Sequence, residues 1–142
     1  MEVLKLIRSQ IRCLERFKEA SSCFLAAADA GDFGGLDQFE RNRASLLKGF
    51  DLFDRKITES VAQMGPGDRT PALLAEAEEL LFTKSSLIQE IMGIDDRIIE
   101  RISTEQLRIS TEISRTQRSN SLMKRFKSGW VPESGEQLDE IL

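Results

Sequence analysis

The acidic pairs Asp95/Asp96, Glu78/Glu79 and Asp51/Asp54 come nearest, by residue type and spacing, to acid–base or metal chemistry. Adjacency alone does not supply it. A carboxylate pair becomes catalytic when burial or opposed environments separate the two pKa values, and a hard cation needs several converging oxygens. All three pairs fall on charged faces of helical segments, where solvated carboxylates are expected. The 142 residues contain no His and no Tyr, which removes the commonest general base, the commonest nitrogen ligand and any phenolic proton donor. No glycine-rich phosphate loop, Cys-x-x-Cys element or Glu-x-x-His pair occurs. The sequence therefore predicts a protein that is not an enzyme and that holds no metal and no cofactor.

Cys13 and Cys23 lie ten residues apart in one helical segment, so their α-carbons would be about 15 Å apart and they cannot pair with each other. Two unpaired cysteines without a signal-peptide pattern fit a reducing compartment, and the expected location is cytoplasmic. The longest apolar run, residues 24–28, is far short of the roughly 20 residues that a membrane-spanning helix needs, so no membrane insertion is expected. With 40% hydrophobic and 31% charged residues the composition is that of a soluble folded chain. A formal net charge of -4 leaves no general excess of cations for phosphates, which argues against nucleic acid as a partner. Arg115, Arg118, Lys124, Arg125 and Lys127, near Phe126 and Trp130, form a local basic run. It reads as a solvated helix end or a docking surface for the protein's own acidic C-terminal tail before it reads as a stacking platform.

The elements that must carry these residues read as all-α. Leu4, Ile7, Ile11, Leu14, Phe17, Leu25 and Ala28 recur every three or four positions and predict an amphipathic helix over about residues 2–29. Gly31 is suited to the left-handed position after that helix, and Asp32 to capping the next one. The turn is short enough to make an antiparallel hairpin. A second helix carries Leu36, Phe39, Leu46, Phe50, Phe53, Ile57 and Met64 in phase, interrupted by Arg43 and Ser60, and ends before Met64-Gly65-Pro66-Gly67-Asp68. Gly49 costs about 1 kcal/mol relative to Ala inside an exposed helix, and a closely packed neighbour is one explanation for it.

Thr70-Pro71 places a capping hydroxyl before a proline at the first helical position. A very long third helix follows, with Leu74, Ala77, Leu81, Ile88, Ile91, Ile98, Ile102, Ile109, Met123 and Phe126 in heptad-like phase. It would rise about 85 Å unbroken, against roughly 42–45 Å for its partners, so it must overhang them, bend or break, and Gly93 is the weak point at which a break would fall. Charge divides it: residues 71–100 hold seven acids and two bases, and residues 101–127 hold seven bases and two acids. The expected architecture is a coiled-coil-like bundle over residues 1–129, followed by an acidic C-terminal segment, residues 130–142. Within that segment Ser134-Gly135-Glu136-Gln137 fits a capping box, and Leu138, Ile141 and Leu142 share one face of a short amphipathic helix.

Leu25-Ala26-Ala27-Ala28-Asp29-Ala30-Gly31-Asp32-Phe33, followed by Leu36, Phe39, Glu40, Arg43 and Leu46-Leu47, resembles the first helical hairpin of the flagellar type III export chaperones. Ile88-Gln89-Glu90-Ile91, Ile94-Asp95-Asp96-Arg97-Ile98 and Ser121-Leu122-Met123-Lys124-Arg125-Phe126 are similar to that family's closing helix. The likeness covers about residues 14–129 and favours the filament-cap chaperone branch over the hook–filament junction chaperone branch. It implies a cytoplasmic helical chaperone without cofactor that holds an amphipathic segment of an unassembled flagellar subunit and brings it to the export apparatus. The residues expected to bind such a partner are Phe50, Phe53, Ile57, Leu81, Ile88 and Ile91, each equally compatible with core. Leu138, Ile141 and Leu142 are candidates for masking that surface. The competing reading is a structural coiled-coil homodimer or scaffold without a client.

Overall fold

Helix α1 spans Glu2–Asp29, α2 Leu36–Ala62 and α3 Pro71–Trp130, with a short 3-10 turn at Pro66–Asp68 before α3. The structure, a computed structural model, describes the backbone of residues 2–130 and the side chains of residues 2–126. Among the described residues the chain is all-α, as its periodicity predicts. The acidic segment with Leu138, Ile141 and Leu142, and the side chains of Lys127 and Trp130, lie outside them.

Helix α1 buries Val3, Ile7, Gln10, Leu14, Phe17, Ser21, Phe24 and Ala28, spaced alternately four and three residues apart, with Leu4, Ile11 and Leu25 beside that seam. Its end is set by local chemistry. Gly31 takes a positive φ of 84, which costs glycine nothing. There the Asp32 N–H donates to the Ala27 carbonyl and the Gly31 N–H to the Ala28 carbonyl, each at 2.9 Å. This pair of bonds satisfies carbonyls that a helix end otherwise orphans. Asp32 does not cap α2 as expected. Its carboxylate accepts from the Gly34 N–H at 2.9 Å, and α2 begins one glycine later, after Gly35, with no side-chain cap. At the start of α3 the Thr70 hydroxyl accepts from the Leu73 N–H at 3.2 Å, the cap its sequence predicts.

Contacts between side chains fix the directions of the helices. Phe24 stacks on Phe39 near the turn, with centroids 4.6 Å apart, and Gln10 reaches Phe50 and Asp54 further along, so α1 and α2 run antiparallel. Arg8 pairs with Glu76, Lys18 with Glu90 and Asp29 with Arg101, so the first part of α3 runs parallel to α1. Arg101 also donates to the Ala28 carbonyl at 3.2 Å, serving the end of α1 from a neighbouring helix. Val3, Leu4, Ile7, Ile11 and Leu73 form one buried cluster, and Leu14, Phe17 and Ile91 a second. Leu87 packs against both clusters.

No break occurs at Gly93: α3 is helical through it, and a Cβ there would meet nothing within 4 Å. At Gly49 a Cβ would lie 3.7 Å from the Cys13 sulfur, an ordinary contact, so close packing does not demand glycine there. The chain divides into two units between Arg101 and Ile102. In the second unit, Arg108 pairs with Glu105 and Glu112 along one turn of helix, and Leu107, Ile109, Ile113, Leu122 and Met123 are exposed. The hydrogen bonds that Arg108 donates to the Glu105 carboxylate hold its guanidinium above its ordinary pKa.

Candidate functional site

The inward row of α2 is only partly covered. Phe39 is its one buried residue, whereas Arg43, Leu46, Phe50, Phe53 and Ile57 are half-buried. Opposite them α3 presents Ile91 buried and Leu87 and Ile88 half-buried. Between the two helices, over a floor of Leu14 and Phe17 from α1, lies a cavity of about 220 Å³. Leu46, Phe50, Ile88 and Ile91 form its apolar walls, with Cys13, Arg43 and Asp95 at its edges. Leu47 and Met92 form its lips and are 45% and 59% exposed.

Polar residues hold this groove at defined width. Arg43 donates to both carboxylate oxygens of Asp95, at 2.5 and 2.8 Å, and its guanidinium lies 5.0 Å from the centre of the Phe17 ring. The Asp95 hydrogen bonds push the Arg43 pKa up against the opposing effect of burial. Arg43 thus belongs in the apolar row that it interrupts in sequence, because its charge is met across the groove. A second bridge lies further along. Asp54 accepts from Gln10 at 2.7 Å and from Lys84 at 3.3 Å, and the Lys84 ammonium sits 5.2 Å from the Phe50 ring centre. Gln10 is fully buried and its Oε1 has no partner. Burial also raises the pKa of the Cys13 thiol, whose Sγ donates to the Leu46 carbonyl at 3.4 Å. A raised pKa disfavours the thiolate and so lowers the reactivity of that thiol.

Three of the six residues expected to bind a partner, Phe50, Ile88 and Ile91, come together around this cavity. Ile91 is 7% exposed, so it backs the cavity wall as part of the core and does not stand out as a ridge. Leu81 is exposed and precedes Ile88 and Met92 by seven and eleven residues, so it extends the same face of α3. Ile57 packs instead against the cluster around Ile7 and Leu73, and Phe53 is half-buried on α2. The lips Leu47 and Met92 were outside the expected set because neither keeps the heptad phase of its helix. A residue on the shoulder of an apolar stripe is what lines a groove, so the phase offset was the available signal.

An apolar cavity of about 150 Å³ admits benzene, so this one has room for a single aromatic or branched aliphatic side chain. Among the described residues no three His, Cys, Asp or Glu side chains are placed to hold a metal ion, and no helix is long and apolar enough to cross a membrane. Asp51, Asp96, Glu78 and Glu79 are exposed, whereas Asp54 and Asp95 are held in the two bridges. No family model, no curated protein and no solved structure matches the chain.

Proposed function

We propose that the protein is a chaperone that receives an amphipathic helical segment of an unassembled flagellar subunit in the α2/α3 groove and delivers that subunit to the type III export apparatus. The observation that carries the binding step is the open cavity between Leu47 and Met92, backed by Phe50, Ile88 and Ile91. A helix laid along such a groove presents its anchors at intervals of three and four residues. The flagellar client rests on the sequence likeness of the first hairpin and of the closing helix, and the filament-cap subunit is the first candidate. Covering apolar surface contributes about 25 cal/mol per Å², and the same coverage would keep a subunit's assembly surface from polymerising early.

Calorimetry with purified filament-cap and hook–filament junction subunits tests this reading. Binding should fall at least about tenfold in Leu47→Ala/Met92→Ala, which removes the apolar lips, and in Met92→Lys, which sets a charge against the partner's apolar stripe. Both positions are exposed in the free protein, so melting temperatures should change little. Absence of binding to either subunit would discard the flagellar assignment. The coiled-coil homodimer reading has its own support in the exposed Ile109, Ile113 and Met123 of the second unit. Sedimentation of the free protein decides it, because a permanent dimer would keep its mass when a client is added.

A further inference from the structure

The shoulders of the α2/α3 groove are acidic. On α2, Glu40 and Asp51 lie seven residues before and four after Leu47, and on α3, Asp96 follows Met92 by four residues with Glu78 fourteen before it. These spacings put each acid on the same helix face as a lip residue. All four side chains are exposed. The cations inside the groove are already committed, Arg43 to Asp95 and Lys84 to Asp54. Lys48 and Arg55, three residues before and four after Asp51, adjoin it on the side away from the groove, so the negative charge of the shoulders comes chiefly from Glu40 and from Asp96 and Glu78 on α3. The groove is thus an apolar channel with negative shoulders and internally neutralised bridges.

We infer that the segment docking in this groove is an amphipathic helix from another protein whose apolar stripe is flanked by lysine or arginine. The assignment rests on the groove being a docking site and adds the charge of its occupant. A stripe flanked by acids would set like charges against Glu40, Asp51 and Asp96, whereas a basic flank pairs with them at the rim. Rim charges of this kind govern encounter rate and choice of partner more than they govern total affinity.

The test uses the full chain and two synthetic helical peptides that share one apolar stripe, with an aromatic anchor, and differ only in carrying lysines or glutamates at the flanking positions. Calorimetry should show the lysine peptide binding at least about tenfold tighter at low salt, the preference shrinking between ~0.05 M and ~0.5 M salt. In Asp51→Lys/Asp96→Lys the preference should reverse, a result that a misfolded variant cannot give, and in Asp51→Asn/Asp96→Asn it should narrow. Equal binding of both peptides, or tighter binding of the glutamate peptide, overturns the basic-flank assignment and leaves the groove as a docking site. Failure of both peptides to bind overturns the assignment together with the docking reading. Loss of a dimer as the lysine peptide is added would instead make a second copy, through its basic residues 102–126, the occupant of the groove in the free protein, and would overturn the assignment to another protein.

Discussion

Removing the clasp between Arg43 and Asp95 is the perturbation whose magnitude can be worked most directly. The pair makes two charged hydrogen bonds, at 2.5 and 2.8 Å, and the side chains are 36% and 18% exposed. It lies between the limits for exposed pairs, about 0.2–1 kcal/mol, and for buried pairs broken on one side, about 3–5 kcal/mol. Arg43→Ala loses the Phe17 contact as well and leaves the more buried partner unpaired, so a cost of about 2 kcal/mol is expected. Asp95→Ala leaves a guanidinium that still stacks on Phe17 and reaches water, and should cost about 1 kcal/mol. Urea unfolding of the wild type, both single variants and the double variant closes the cycle, with an expected coupling of about 1 kcal/mol. A coupling below ~0.3 kcal/mol would refute the claim that this pair holds α2 against α3.

Ser21 is fully buried with no hydrogen-bond partner for its hydroxyl, so Ser21→Ala should stabilise the fold by about 1 kcal/mol, seen as a higher urea midpoint; a loss of stability would mean that the hydroxyl is satisfied. Gly93→Ala should add up to ~1 kcal/mol, because the new methyl group meets nothing, and Gly49→Ala should add slightly less beside the Cys13 sulfur. At mildly alkaline pH the exposed Cys23 should react with a thiol reagent roughly tenfold faster than Cys13, whose thiolate is disfavoured by burial. A client in the groove should slow Cys13 further and leave Cys23 unchanged. Labelling followed by mass spectrometry reads both sites.

Helix ends were the most legible part of the sequence, because each rests on chemistry within a few residues. The glycine after α1 and the threonine before α3 act as expected. Asp32 shows the limit of that approach. It is a sound capping residue, but Gly34 and Gly35 let the chain run on, and its carboxylate is spent within the turn. At Gly93 the sequence leaves overhang, bend and break open, and the structure takes the continuous helix: a glycine weakens a helix by about 1 kcal/mol, which long flanking runs of good helix formers absorb. Gln10 and Ser21 were invisible to a count of apolar residues, although both occupy the seam of α1.

The candidate groove was half legible for a related reason. Periodicity picks out the centre of a stripe, which is core, whereas a binding groove uses the shoulders. Phe50 and Ile88 stand close enough to the edge to serve both purposes, while Leu47 and Met92 fall outside the repeat. Arg43 looked like a fault in the stripe of α2 because Asp95, which completes it, is 52 residues away.

Methyl NMR of the labelled protein during titration with a filament-cap subunit or its helical segment tests the central claim most directly. The Met92 methyl and the Leu47 and Ile88 methyls should shift and saturate together, while Val3, Ile7 and Leu73 in the opposite cluster stay in place. Saturating shifts confined to Ile109, Ile113 and Met123, with the groove silent, would contradict the account.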